Sequence, residues 1–110
     1  VDEEFKEKKE KDIKMQDAGS HRVTFSELDT NGHANNCFYT QWAIDTLPFD
    51  YLSTHILRDL RICYYHELQF GDNVQLQLGN DAKGKWYLQG VLGDTICFLV
   101  EMQFIPAPQQ

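Results

Sequence analysis

The second half of the sequence constrains the fold most, because it holds four consecutive segments with the pattern of β-strands. Residues 56–68 are rich in β-branched and aromatic side chains, and residues 86–92 form another short run of this kind. In residues 74–78 and 96–104, apolar side chains alternate with other residues, which gives each segment one apolar face. Turns rich in Gly, Asp and Asn separate the segments. The pattern predicts an antiparallel sheet.

One helix is predicted before these strands. Residues 37–47 lack strand alternation, and Phe38 and Trp42 recur at helical spacing. Pro48 marks the predicted end of the helix, and few polar side chains interrupt it, so most of its surface should be buried. A short strand over residues 21–25 is predicted before the helix. The order β, α, β, β, β, β is typical of an α+β domain in which a sheet packs around one apolar helix.

The two ends differ in composition from this central region. Residues 1–17 are dense in Lys, Glu and Asp and have almost no apolar stripe, and the last residues carry two prolines without periodicity. We therefore expect a charged linker or arm over residues 1–20, one folded domain over residues 21–105 and a disordered tail over residues 106–110. A chain of 110 residues fits one domain of this size.

The bulk composition argues against several classes of protein. The net charge of −7 disfavours nucleic-acid binding, because phosphates would be repelled. No apolar run approaches the roughly 18 residues that a membrane span requires, and the charged first segment is not a signal peptide. The 3 cysteines, Cys37, Cys63 and Cys97, are widely spaced, which argues against a disulfide framework or a zinc ribbon. These features predict reduced thiols in a cytoplasmic protein.

A polar loop precedes the predicted helix. Between positions 29 and 36 it carries Asp29, Asn31, His33, Asn35 and Asn36. Turn and capping chemistry accounts for the Asn-Gly step and for one of the two adjacent asparagines, whose side chain can accept a backbone N–H bond in the first helical turn. It does not account for the acid together with the histidine. Two interpretations therefore stand, an elaborate helix cap or half of an active site.

A metal site fits this loop poorly. Its Asp-x-Asn-Gly start is similar to a calcium-binding EF-hand loop, but the position that requires glycine is Ala34 and the position that requires glutamate is Thr40. A simple Asn-Gly hairpin is also disfavoured, because a helix rather than a returning strand follows. We expect neither a metal ion nor a cofactor.

Two stretches of the sequence resemble the acyl-ACP thioesterases, in their second, C-terminal hotdog domain. The stretch LDTNGHANNCFYTQWAIDTLP, residues 28–48, resembles the family pattern Asp-x-Asn-x-His-x-Asn-Asn, which is followed by a helix with an aromatic residue, a Trp and an acid. The stretch LRICYYHELQFGD, residues 60–72, is similar to the family strand that carries a Tyr-x-x-Glu element. This resemblance, within the wider thioesterase/4-hydroxybenzoyl-CoA thioesterase-like superfamily, implies a hotdog fold for residues 21–105. In that fold a curved antiparallel sheet wraps around one long central helix.

The resemblance also implies a set of catalytic residues. The family's residues match Asp29, Asn31, His33 and Glu67 of this sequence. Glu67, on a strand beside the helix, is expected to be the general base, with a pKa raised by burial. The alternative assignment makes His33 the base and Glu67 the group that orients it. Asp29 is expected to orient the imidazole, and Asn31 to hold the attacking water or donate to the oxyanion.

The expected nucleophile follows from the resemblance, and the expected oxyanion site from the chemistry of a helix start. The plant enzymes have a cysteine directly after the glutamate, and this sequence has Leu68 there, so water is the expected nucleophile. The start of the helix at Asn35 and Asn36 is expected to offer free backbone N–H groups and a positive dipole end to the oxyanion.

The activity implied by the resemblance is hydrolysis of a fatty acyl-ACP thioester, which releases a free fatty acid. Members of the family have two hotdog halves, and this chain, which begins at Val1, would supply the C-terminal one and pair with the other. Two alternatives stand beside it. One is a single-hotdog acyl-CoA thioesterase that works as a homodimer, and the other is a non-catalytic hotdog that binds acyl groups or serves in assembly. In each case we expect no nucleic-acid partner and no membrane span.

Overall fold

The computed structural model describes residues 13–81 and 83–108. Its elements are β1 (Gln16–Arg22), α1 (Cys37–Ile44), α2 (Phe49–Thr54), β2 (His55–Tyr64), β3 (Asn73–Asn80), β4 (Lys85–Leu92) and β5 (Thr95–Pro106), with a short 3-10 turn at Phe25–Glu27. The strands form one sheet in the order β1-β3-β4-β5-β2, and every neighbouring pair is antiparallel. The predicted antiparallel sheet and α+β class are confirmed.

The main core lies between α1 and one face of the sheet. Because side chains alternate along a strand, β5 presents Phe98, Val100 and Met102 to this face, and all three are fully buried. From α1, Tyr39, Trp42 and Ala43 pack against them. Gly90 of β4 is required at this point, because a Cβ there would collide with the ring of Phe98.

A smaller apolar cluster covers the opposite face of the sheet. It consists of buried residues from the N-terminal segment, β2, β4 and β5, namely Ile13, Cys63, Tyr87 and Leu99. The segment before β1 crosses the sheet here at close range, since a Cβ on Gly79 would lie 2.6 Å from Ile13 Cγ2. The sheet is thus covered by α1 on one face and in part by the segment directly before β1 on the other.

The first strand begins earlier than predicted. The pattern indicated a strand over residues 21–25, but β1 occupies Gln16–Arg22, which places its start within the predicted linker. Ile13 is also buried against the sheet. The prediction of a linker over residues 1–20 is therefore wrong for residues 16–20, and residues 1–12 lie outside the described residues.

The reason for this difference is that β1 is an edge strand with an irregular backbone. Its pairing with β3 shifts register between Asp17 and Ser20, and Gly19 between them has a φ of +96°. Most of its side chains are exposed, so it has no apolar stripe to reveal it.

The predicted single helix over residues 37–47 is shorter and is followed by a second one. The chain leaves α1 in a tight turn in which the Thr46 hydroxyl donates to the Ala43 carbonyl oxygen at 2.6 Å. Pro48, with a φ of −63°, directly precedes α2. Proline is favoured at the first positions of a helix. Pro48 therefore follows α1 and also starts α2. The structure therefore has two short helices where one long helix was expected.

The strand predicted over residues 56–68 also ends early. The backbone N–H groups of Tyr65 and His66 both donate to the Cys97 carbonyl oxygen, at 2.9 and 3.1 Å. Two donors on one acceptor interrupt the regular ladder, and β2 ends there. Glu67 therefore lies beyond the strand rather than on it.

The C-terminal end of the described chain is held by the fold. β5 includes Pro106, and the Ala107 N–H donates to the Thr54 carbonyl oxygen at 2.9 Å. The prediction of a disordered tail is therefore wrong for residues 106 and 107, and residues 109–110 lie outside the described residues. Within residues 13–81 and 83–108, no helix has the length and apolar character needed to cross a membrane.

Candidate active site

The polar loop that follows the 3-10 turn is shaped by Asp29. Its Oδ1 accepts the backbone N–H of Asn31 at 2.9 Å and that of His33 at 3.1 Å. Its own backbone N–H donates to the His33 carbonyl oxygen at 2.8 Å, and Gly32, with a φ of +81°, completes the turn. These bonds fold the loop back on itself and fix the backbone of His33.

Hydrogen bonds to the neighbouring segments fix where this loop lies. The Ala34 N–H donates to the Leu68 carbonyl oxygen at 2.7 Å, and His33 forms an isolated bridge with Gln69. On the other side, the Asn35 N–H donates to the Glu27 carbonyl oxygen at 2.7 Å. The loop is therefore paired to the segment after β2, which brings His33 beside Glu67.

An open cleft of about 630 Å³ lies at this junction. It is lined by five of the six predicted site residues, namely Asp29, Asn31, His33, Asn36 and Glu67. The sixth, Asn35, does not line it. His66 also lines the cleft, beside Glu67.

An imidazole and a carboxylate meet in the cleft. His33 Nε2 lies 3.2 Å from Glu67 Oε2. The His33 side chain is 33% exposed and that of Glu67 is 72% exposed. The expected burial of Glu67 is therefore wrong for the chain by itself, because the residue lies past the end of β2, where no other described element covers it.

Asp29 does not act on His33 in the way predicted. The expectation was a carboxylate that orients the imidazole, but the hydrogen bonds of Asp29 Oδ1 go to the loop backbone. The ring nitrogen of His33 contacts Glu67 instead. Asp29 thus positions the histidine through its backbone.

The start of α1 differs from the expected oxyanion site. The Cys37 N–H donates to Asn35 Oδ1 at 3.1 Å, the Phe38 N–H donates to the Asn35 carbonyl oxygen at 3.0 Å, and the Tyr39 N–H donates to the Asn36 carbonyl oxygen at 3.1 Å. These N–H groups are satisfied within the turn, so the prediction that they are free is wrong. Asn36 occupies the cap position of α1, but its side chain makes no capping bond and the residue lines the cleft. The side chain that accepts an N–H of the first turn is that of Asn35.

A buried carboxylate behind the loop was missed by sequence reasoning. Glu27 is 9% exposed; its Oε1 lies 2.9 Å from His21 Nε2, and its Oε2 accepts the Trp42 indole N–H at 3.0 Å. Its Oε1 also accepts the Thr24 N–H at 2.9 Å. Desolvation by burial acts to raise the pKa of Glu27, but the hydrogen bonds from His21, Thr24 and Trp42 together hold it below its usual value. The Thr-x-x-Glu spacing of a capping box was the signal that could have found it.

A buried tyrosine of α1 was also missed as a cleft residue. Tyr39 is 2% exposed and lines the cleft, and its ring stacks on Phe98 with centroids 4.2 Å apart. Its position in the predicted helix is typical of an aromatic residue of the core, and no pattern in the sequence indicates that it reaches the cleft.

Cysteine and metal chemistry have little support near the cleft. Cys37, Cys63 and Cys97 form no disulfide with one another, and the latter two are buried. Burial raises the pKa of the Cys97 thiol, which disfavours its nucleophilic thiolate. In residues 13–81 and 83–108, His, Cys, Asp and Glu do not cluster in a group of three or more that could hold a metal ion.

Comparisons with known proteins identify the family. Residues 8–98 match the model of the acyl-ACP thioesterase C-terminal domain. The chloroplastic oleoyl-acyl carrier protein thioesterase of Coriandrum sativum is 35% identical over 66 residues, which cover 56% of this chain and 18% of that protein.

Solved structures share the fold. An acyl-ACP thioesterase from Bacteroides thetaiotaomicron matches with a TM-score of 0.77 and 20% identity, over 82% of this chain and 37% of that one. A hypothetical protein from Staphylococcus aureus, solved in complex with CoA, matches with a TM-score of 0.71 and 20% identity, over 84% of this chain and 77% of that one. The chain thus spans well under half of the Coriandrum sativum and Bacteroides thetaiotaomicron proteins. It belongs to the acyl-ACP thioesterase C-terminal domain family, which has the hotdog fold.

Proposed function

We propose that this chain is the C-terminal hotdog half of a thiolester hydrolase that cleaves fatty acyl-ACP and releases a free fatty acid. The observation that carries the proposal is the contact between His33 Nε2 and Glu67 Oε2, 3.2 Å apart in an open cleft. An imidazole beside a carboxylate can accept a proton from a water molecule, which is the difficult part of thioester hydrolysis because the thiolate is a good leaving group. Membership of the thioesterase family supports the same reaction.

In the proposed reaction, Glu67 accepts a proton from water while the water oxygen attacks the thioester carbonyl carbon. The carbonyl electron pair moves to the oxygen, and the tetrahedral intermediate then expels the thiolate, which takes up the proton. His33 orients the Glu67 carboxylate through the Nε2 contact. The reverse assignment, with His33 as the base, uses the same contact. Asn31 and Asn36 line the cleft, where their side-chain amides can donate to the water or the oxyanion.

The exposure of Glu67 suggests that the cleft needs a cover. A general base works best with its pKa near the working pH, and for a carboxylate this requires burial. In the chain by itself the Glu67 side chain is 72% exposed. We therefore propose that a second hotdog unit lies over the cleft, either the other half of the enzyme or a second copy of this chain.

The edge of the sheet near the cleft is suited to such pairing. β2 is the last strand in the sheet order, so one side of its backbone faces no other strand in the described chain. On its core-facing side, Leu60 is 44% exposed and Tyr64 is 50% exposed, and Tyr64 also lines the cleft. A partner unit that adds its own strand along β2 would cover both side chains and the cleft together.

Thiol release from acyl-ACP and acyl-CoA tests the reaction. We expect the chain to release thiol from acyl-ACP more efficiently than from the acyl-CoA of the same chain length, and a Glu67→Gln variant to lose this activity. Binding of acyl groups without release from either substrate would instead identify a non-catalytic acyl-binding module.

Light scattering at micromolar concentration tests the pairing. We expect a dimer, and a Leu60→Glu and Tyr64→Glu double variant should be a monomer with reduced activity, because like charges would face each other across the two-fold axis. A stable monomer with full activity would contradict the need for a cover.

A single-hotdog acyl-CoA thioesterase that works as a homodimer is the second candidate. The observation that favours it is the likeness to the Staphylococcus aureus protein, which is covered over 77% of its length and is solved in complex with CoA. Greater efficiency with acyl-CoA than with acyl-ACP would favour this candidate. For either activity we propose that the chain works in the cytoplasm.

A further inference from the structure

The ring of Tyr39 is held rigidly in the wall of the cleft. It stacks on Phe98 with centroids 4.2 Å apart and planes 13° apart, and it lies 5.1 Å from the ring of Trp42. The residue is 2% exposed, so both neighbours fix it from the core side. Such packing holds the hydroxyl at a defined position without a hydrogen bond to do so.

The hydroxyl of Tyr39 is available to a ligand. It makes no hydrogen bond to any residue in 13–81 or 83–108, and it is not one of the fully enclosed polar atoms of this part of the chain. Tyr39 lines the cleft together with His33 and Glu67. A buried tyrosine hydroxyl usually has a partner, because an unmade hydrogen bond is costly.

The surroundings keep this hydroxyl protonated. Burial is the largest effect, and the nearby ionisable groups of Cys97, Tyr64, Glu67 and Asp29 add to it, so that the pKa of Tyr39 rises to about 12. At neutral pH the phenol is therefore a neutral donor, which can give a hydrogen bond to an oxygen that gains negative charge.

We propose that Tyr39 is a further catalytic residue, whose hydroxyl donates a hydrogen bond to the carbonyl oxygen of the bound thioester. This inference rests on the proposed function. When water attacks the carbonyl carbon, the carbonyl electron pair moves to this oxygen, and the Tyr39 hydroxyl stabilises the resulting charge without transferring its own proton. The bond breaks when the carbonyl re-forms and the thiolate leaves with the proton of the attacking water.

The Tyr39 hydroxyl replaces the backbone N–H groups at the start of α1 as the donor to the oxyanion. The N–H groups of Cys37, Phe38 and Tyr39 are all bonded within the turn. A donor for the oxyanion must then come from side chains at the cleft. Tyr39 is held in place by the rings of Phe98 and Trp42, whereas Tyr64 is 50% exposed and lies at the sheet edge.

A Tyr39→Phe variant tests the inference, because it keeps the stacked ring and removes only the hydroxyl. We expect kcat for thioester hydrolysis to fall about 100-fold with KM changed less than about threefold, which is the scale found when one oxyanion donor is lost. Tyr51→Phe is the matched control, since Tyr51 stacks on His55 away from the cleft, and it should keep the parent activity. Activity of Tyr39→Phe within a few-fold of the parent, or a larger loss in Tyr64→Phe, would overturn the inference.

A binding measurement separates this inference from the proposed function. One probe is an acyl-pantetheine analogue in which CH2 replaces the sulfur, so that a ketone carbonyl remains, and the second is the matched thioether without a carbonyl. We expect Tyr39→Phe to bind the ketone about tenfold more weakly than the parent chain and to bind the thioether equally well. Equal affinity of parent and variant for the ketone contradicts the inference alone. Failure of the parent to bind either probe contradicts the proposed function and the inference with it.

Discussion

Two histidine–glutamate pairs lie on opposite sides of the polar loop, and they differ mainly in the exposure and hydrogen bonding of the glutamate. In the first, Glu27 is buried, and its carboxylate also accepts hydrogen bonds from Trp42 and Thr24. In the second, the Glu67 side chain is 72% exposed, and its contact with His33 lies in an open cleft. In the first pair the carboxylate is hydrogen-bonded to several groups of the chain, and in the second pair the carboxylate can still accept hydrogen bonds from a ligand.

The difference shows how to separate a structural pair from a reactive one. The carboxylate of Glu27 is fully used by the chain, and it ties β1, the 3-10 turn and α1 together. The His33–Glu67 contact is held in place by backbone pairing on both sides, and it remains accessible. The first pair supports the loop, and the second is available for chemistry.

The largest expected effect on stability is that of Glu27→Ala. The change leaves the buried Trp42 indole N–H without an acceptor, which costs about 1–3 kcal/mol, and it also removes the hydrogen bonds of Glu27 with Thr24 and His21. We expect the free energy of unfolding to fall by about 3 kcal/mol in a urea titration followed by circular dichroism. The control, Glu67→Ala, should change it by less than about 0.5 kcal/mol. Similar losses of unfolding free energy in the two variants would contradict the distinction between a structural pair and a reactive pair.

The next effect is on activity. His33→Ala should lower kcat about 100-fold, which is the scale of losing a general acid–base group, with little change in melting temperature. His21→Ala is the matched control, and it should show the reverse, a lower melting temperature with much of the activity per folded molecule retained. If His33→Ala unfolds the protein while its folded fraction keeps full specific activity, the loop histidine is structural.

The smallest effect concerns Asn35, which connects the two pairs. Its backbone bonds the Glu27 carbonyl oxygen, and its side chain caps α1. Asn35→Ala should cost about 1 kcal/mol of stability, the typical value of a lost cap. Asn36→Ala, by contrast, should leave the free energy of unfolding unchanged and lower kcat, because this side chain lines the cleft. Equal stability costs for the two asparagines would show that the cap is shared.

The last three strands were predictable from the sequence. β3, β4 and β5 lie within a residue or two of the predicted segments. Apolar alternation indicated β3 and β5, whereas β4, whose four central residues are all buried, was indicated by its β-branched and aromatic side chains. β1 was misplaced because an edge strand with a bulge buries too little to show a pattern. The second helix was missed because Pro48 indicates a helix end and a helix start equally well.

The candidate site was predictable in its members and less so in their roles. Asp29, Asn31, His33 and Glu67 do line one cleft. The exposure of Glu67 and the backbone bonds of Asp29 depend on where the loop docks after β2, which is a tertiary property that no local pattern encodes. The family resemblance identified the residues of the site, whereas their hydrogen bonds are seen only in the structure.

The most direct test of the central claim is the rate of thiol release from acyl-ACP by Glu67→Gln relative to the parent chain. Glutamine keeps the size of the side chain and removes its ability to accept a proton from water. We expect kcat to fall about 100-fold or more while the free energy of unfolding stays unchanged, because the exposed Glu67 side chain contributes little to stability. A kcat within a few-fold of the parent would contradict the claim that the exposed pair, rather than the buried one, carries out the reaction.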